Sequence, residues 1–147
     1  MASAALSMPS IAGVRRLLVG AGAAAVLVSG LLPWLRFQRS ELSGFRLAEL
    51  VASVGDEYKV GPPSWLGIAW YALPLAAVAS WFALVLAHPV RAVPRIHLPL
   101  GLAMAAMSVV FVVAAHRTVG VEAGEVVALT GSLLVVVGGS PKNGRTA

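Results

Sequence analysis

The sequence predicts an all-α membrane protein: a bundle of four transmembrane helices with an amphipathic helix in the first extracytoplasmic loop. Three observations carry this. Of 147 residues, 59% are hydrophobic and only 12% charged, about half the charge density of an ordinary water-soluble domain. The mean hydropathy is +0.86. Apolar stretches near the length a bilayer core demands, about 20 residues, recur four times, at 17–35, 65–87, 98–115 and 124–140. The length confines these to a single membrane domain, 1–147, with an outer loop at 36–64.

The first stretch runs uncharged between Arg16 and Arg36 and closes on Leu32-Pro33-Trp34. Its basic entry resembles a signal peptide, but no small-residue cleavage site follows, so a retained helix is expected. The second, Trp65 to Ala87, is the most apolar. Pro74 lies in its middle, with no N–H for the Trp70 carbonyl and a ring that crowds that turn, which predicts a kink. The third lies between His97 and His116. The fourth is short, Val126 to Gly139 unless Glu122 and Glu125 are drawn in, and four crossings return the polar tail to its starting side. Trp34, Trp65 and Trp81 fall where interfacial aromatic anchors belong.

Orientation follows from the basic residues. With the N-terminus inside, Arg15, Arg16, Arg91, Arg95, Lys142 and Arg145 are cytoplasmic, and Arg36, Arg39, Arg46, Lys59 and Arg117 lie outside. The inner set sits in shorter segments, so both termini are expected in the cytoplasm of a multi-pass protein of the plasma (inner) membrane. Helices in lipid associate through small residues. Ala21, Ala25 and Ser29 share one spacing with Ala72, Ala76 and Ser80, and with Gly124, Ala128 and Ser132.

Within the outer loop Leu47, Leu50, Val51 and Val54 fall at i, i+3, i+4 and i+7, the helix period. Phe45 extends this apolar side, Ser43 can cap the start and Gly55 lies past the end. The spacing predicts about three turns of helix on the outer surface. These five residues, Phe45, Leu47, Leu50, Val51 and Val54, are the candidate docking face for another membrane protein, or a lid that buries itself on the bundle.

Glu122 and Glu125 share a helix face. Inside the bilayer they would be candidates for binding a proton or an ion; at a helix start they would be first-turn acids favoured by its dipole. His88, His97 and His116 are expected as solvated interfacial groups, because no neighbouring carboxylate completes a metal-ligand pattern. Arg91 and Arg95 suit anionic lipid headgroups.

The chain has no cysteine, which excludes thiol relays, Cys-ligated zinc, iron–sulfur clusters and Cys nucleophiles. The formal charge of +5 is scattered between apolar segments rather than gathered into a stripe, which argues against nucleic acid. No phosphate-cradling loop, nucleophile elbow or zinc-protease motif appears. No enzyme activity and no cofactor are expected.

The Arg15-Arg16 entry, Leu32-Pro33-Trp34 closing the first helix and Ser43-Gly44-Phe45 in the outer loop resemble small four-helix membrane proteins of actinobacteria, many of unknown function. That resemblance implies the four-helix layout and carries no functional residue. Two other four-helix families fail on their residues. Quinone-linked disulfide oxidoreductases need cysteines, and small multidrug transporters need a carboxylate in the first helix, which 17–35 lacks. The function expected is therefore that of a non-enzymatic accessory or assembly subunit of a larger envelope or respiratory complex. Its partners are membrane lipid and other membrane proteins, with self-association open. The alternative is a small transporter or channel using Glu122 and Glu125.

Overall fold

A computed structural model of the chain describes residues 10–37, 40–54, 63–87, 95–116 and 122–141. The fold is mostly helical. In order come α1 (Ile11–Ser29), β1 (Pro33–Phe37), β2 (Ser40–Ser43), α2 (Gly44–Val54), α3 (Ser64–Trp70), α4 (Ala72–Leu86), α5 (His97–His116) and α6 (Ala123–Gly139). Two helical segments, Ile11–Ser29 and Ser64–Leu86, are long and apolar enough to cross a membrane.

Around the bundle α1 lies between α4 and α6, and α5 closes the ring between α6 and α4. Neighbours run antiparallel, since rising residue numbers on one helix meet falling numbers on the next. The α1–α6 contact is the most intimate. A Cβ added at Gly22 would stand 2.5 Å from the Gly131 carbonyl oxygen, and one added at Gly131 would stand 2.6 Å from the Gly22 carbonyl oxygen. Real side chains do not approach backbone so closely, so each glycine admits the other's backbone. On α6 the buried residues Gly124, Ala128, Gly131, Ser132, Val135 and Gly138 form one face. Gly124, Ala128 and Ser132 are the small residues its spacing predicts.

On α1 the buried face is Val19, Gly22, Ala23, Val26 and Ser29, one position round from the expected stripe. Ala21 is exposed and only Ser29 is shared. Backbone approach at Gly22 rotates the helix so that glycine, the smaller residue, takes the contact. On α4 the buried set is Leu73, Ala77 and Ser80, again a residue away from Ala72 and Ala76.

The first helix begins earlier than the apolar stretch suggests. Ser10 caps it, its hydroxyl accepting the Gly13 N–H at 3.2 Å. Arg15 and Arg16 thus sit within the first two turns. Arg15 Nε donates to the Gly138 carbonyl at 3.0 Å, its Nη2 donates to the Ser140 carbonyl, and Arg16 Nη2 donates to the Ala87 carbonyl at 2.8 Å. A cation at a helix C-terminus meets both the unsatisfied carbonyls and the negative end of the dipole. Neighbouring arginines on one helix therefore close the ends of two others, α6 and α4. The second apolar stretch breaks at Tyr71, between α3 and α4, where the proline three residues on removes the bond to the Trp70 carbonyl.

Three buried hydroxyls turn back on their own helices, while that of Ser80 has no hydrogen-bond partner among the described residues. Ser29 donates to the Val26 carbonyl, Ser108 to Met104 and Ser132 to Ala128, at 2.6, 2.9 and 2.7 Å. Large apolar side chains point outward instead: Leu17, Leu75, Phe82, Leu86 and Val137 are each 60–78% exposed.

The glycine crossing makes a testable demand. Gly22→Ala should force α1 and α6 apart and cost about 1–3 kcal/mol, the range of an overpacked core. Gly20→Ala, where the added Cβ meets only Leu84 Cδ1 at 3.8 Å, should be tolerated. Thermal unfolding of the two variants in detergent should separate them clearly.

Candidate functional site at the hairpin end

Between α1 and α2 the chain forms an antiparallel hairpin, β1 with β2, in which Arg36 faces Glu41 and Phe37 faces Ser40. The hairpin was not expected from the sequence. It places Trp34 inside the fold, 1% exposed, which corrects the expectation of an interfacial anchor. Leaving α1 after Ser29, the chain turns at Leu31 and Leu32 and re-enters the bundle as strand, so the indole points inward. Its Nε1 donates to the Ser29 carbonyl at 2.6 Å, satisfying a terminal carbonyl of α1. Trp65 and Trp81 are exposed.

An aromatic cluster builds around Trp34. Its ring lies edge-on to Trp70 at 5.8 Å and to Phe111 at 6.2 Å, and Phe45 meets Trp70 at 4.8 Å. Edge-to-face geometry of this kind is the favoured one for aromatic pairs. Four elements contribute: β1, α2, α3 and α5. Three glycines admit the rings, since a Cβ at Gly44 or Gly124 would collide with the Trp34 indole and one at Gly30 with Phe45 and Trp70.

Beneath this cluster α6 begins. Glu122 is its N-cap and Glu125 its third residue, and they form a reciprocal capping box. The Glu122 side chain accepts the Glu125 N–H, and Glu125 Oε2 accepts the Glu122 N–H at 3.2 Å. Both acids therefore satisfy orphan donors of the first turn. Glu125 is 1% exposed; Glu122 is half-buried and reaches Arg36. The Arg36 guanidinium pairs with Glu41 at 2.7 Å and with Glu122 at 3.9 Å, tying the hairpin to α6.

The docking face divides. α2 spans the residues its periodicity predicts, and Ser43 Oγ accepts the Arg46 N–H at 3.4 Å. The helix packs on α3: Gly67 lies against the backbone of Ala48 and Ala52, so closely that no side chain fits there. Phe45, Leu47 and Val51 pack against the core, and Leu50 is exposed. The Val54 side chain lies outside the described residues. The structure thus brings Phe45 to the aromatic cluster and Glu122 and Glu125 to its base, and leaves Leu50 facing outward.

The histidine expectation divides too. His97 is fully buried, not solvated, and Gly139 lets the end of α6 close against the start of α5. His88, Arg91 and the His116 side chain lie outside the described residues. Among the described residues no three potential metal ligands come together.

Trp34 is the keystone residue that sequence reasoning missed. Its only signal lay in the composition of Pro33-Trp34-Leu35-Arg36-Phe37, where two aromatics favour a strand but apolar and polar residues do not alternate. Trp34→Ala should cost about 3–5 kcal/mol through the cavity it leaves. Trp65→Ala, at a site 60% exposed, should cost far less, and chemical denaturation of both variants in one detergent checks the contrast. Comparison of the chain with known protein families, with curated proteins and with solved structures returns no match.

Proposed function

We propose that this chain is a non-enzymatic integral membrane protein, an accessory or assembly subunit of a larger envelope or respiratory membrane complex. One observation carries the reading. The polar groups at both ends of the bundle serve its own helix ends: Arg15 and Arg16 at one, Glu122, Glu125 and Trp34 at the other. Meanwhile the bundle's outside is a belt of large apolar side chains. Such a surface suits lipid, and such an interior suits a scaffold. In this reading α1, the α3–α4 pair, α5 and α6 are four crossings, and the hairpin and α2 form the extracytoplasmic cap. Both termini are cytoplasmic, which puts Arg15 and Arg16 at the inner surface, where basic residues concentrate.

The partner meets the cap through α2. Among the described side chains of the docking set, Leu50 is the apolar one that α2 leaves exposed, with Arg46, Glu49 and Ser53 exposed beside it. Leu47 packs against the core, so a charge there would damage the fold and not the surface alone. Leu50→Asp, at normal expression and unchanged thermal stability, should abolish recovery of a stoichiometric partner after gentle detergent extraction. Undiminished recovery would sink the docking reading.

The burial of Glu125 favours a second reading, a small transporter or channel using Glu122 and Glu125. An enclosed carboxylate near a membrane is a natural proton or cation ligand. It predicts pH-dependent flux in liposomes that Glu125→Gln abolishes while Glu41→Gln, at an exposed site, leaves it intact. No flux from the unmodified protein, or flux indifferent to Glu125→Gln, would remove this reading.

A further inference from the structure

His97 opens α5 just before the third apolar stretch, with its side chain fully enclosed. Among the described residues neither ring nitrogen has a hydrogen-bond partner. A neutral imidazole carries one donor and one acceptor, and a buried group with both unmet is uncommon enough to demand a physical reason. The surroundings of the ring supply one. The C-terminus of α6 lies directly against the backbone and Cβ that carry it, since a Cβ added at Gly139 would stand 2.9 Å from both the carbonyl carbon and the Cβ of His97. The carbonyls there are engaged: Gly138 and Ser140 receive Arg15, and the Ala87 carbonyl at the end of α4 receives Arg16.

The charges at this end are all of one sign. Among the described residues α1 contributes Arg15 and Arg16, the turn before α5 contributes Arg95, and α4 and α6 contribute none. The carboxylates that the structure describes, Glu41, Glu49, Glu122 and Glu125, belong to the hairpin, to α2 and to the start of α6 at the opposite end. The sequence holds no acid between Glu57 and Glu122 and none after Glu125. A proton on His97 would therefore place an enclosed cation at an end that, among the described residues, carries basic side chains and no acidic one.

We propose that this end of the bundle is an acid-sensitive latch, in which neutral His97 lets α5 seat on the C-terminus of α6 and protonation of its ring unseats it. The charged imidazole must reach water or compete with Arg15 for the Gly138 and Ser140 carbonyls. Either movement opens the contact at Gly139. Charging an enclosed imidazole that has no partner costs its desolvation, whereas a ring that has reached water is solvated in either form. The seated arrangement is therefore favoured while the ring is neutral and is lost as acid protonates it. The latch stands independently of the partner-docking and transport readings, since it rests on no residue of the hairpin end.

The test is the thermal midpoint of the full chain in lipid nanodiscs between about pH 7.5 and 5, for the parent, His97→Phe and His97→Gln. The parent should lose about 5 °C or more on acidification, and the variants should stay level. His97→Gln cannot titrate but keeps a polar side chain, so it serves where His97→Phe fails to fold. Hydrogen exchange, corrected for the intrinsic rate at each pH, locates the loss. In acid the parent should lose protection at Val135–Ser140 and Leu98–Leu102 before the hairpin end does, and His97→Gln should retain it. A parent midpoint that does not move with pH overturns the proposal. So does an equal acid loss in His97→Gln, or protection lost first at the hairpin end.

Discussion

The backbone contact of α1 with α6 at Gly22 and Gly131 sets the rest of the structure. Two helices that meet at carbonyl distance can slide very little, because the next residues along either helix carry side chains that would collide. That one crossing fixes the register of both ends. Towards the N-terminus of α1 it brings Arg15 opposite Gly138 and Ser140. Towards the C-terminus it brings the exit of α1 opposite the start of α6, where Trp34 settles on Gly124. A slip of one helical turn, about 5.4 Å, would pull the guanidinium from its carbonyls and drive the indole into a side chain. The ends therefore reinforce the register that the glycines establish.

The polar groups follow from the same constraint. A helix in an apolar solvent bonds its own interior backbone but leaves carbonyls and N–H groups over at its ends. Here α4 and α6 have their last carbonyls met by arginines of α1, α1 has a terminal carbonyl met by the Trp34 indole, and α6 has its first N–H groups met by its own glutamates. Three of these four arrangements join different elements. They close helix ends and hold neighbours together at once, which matters where hydrophobic collapse supplies no drive between helices.

The parts of the fold legible in the sequence are those encoded locally. The apolar stretches, the periodicity of α2 with Ser43 at its start, the break caused by Pro74 and the small face of α6 all depend on residues within a few turns of one another. What escaped depends on distance along the chain. Arg15 reads as a topological charge because its acceptors lie more than a hundred residues away. His97 reads as a solvated residue because the end of α6, far along the chain, closes against it. The α1 stripe was legible in part, since Ala25 lies against Gly131 and Ser29 is buried, but Gly22 stands at the crossing in place of Ala21 because it admits the Gly131 carbonyl. At the candidate site, the α2 helix and the pairing of Glu122 with Glu125 were legible. The cluster of Trp34, Trp70, Phe45 and Phe111 was not, since four separate elements build it.

This division has a consequence for recognition. An amphipathic helix on a membrane surface usually buries its apolar face in lipid headgroups or in a partner. In α2 that face is occupied from within: Phe45 by Trp70, Ala48 and Ala52 by the backbone at Gly67, and Leu47 and Val51 by the core. The helix is thus held in a fixed orientation whether or not a partner is bound, and among its described side chains it offers Leu50 outward beside Arg46, Glu49 and Ser53. Such a pre-positioned surface loses little conformational entropy on association. Its selectivity would come from the placement of those charges more than from apolar area. Rigidity there is inherited from Trp34, since the indole fixes both the hairpin that leads into α2 and the Trp70 ring on which Phe45 rests. The same residue that closes the bundle therefore also aims the face it presents.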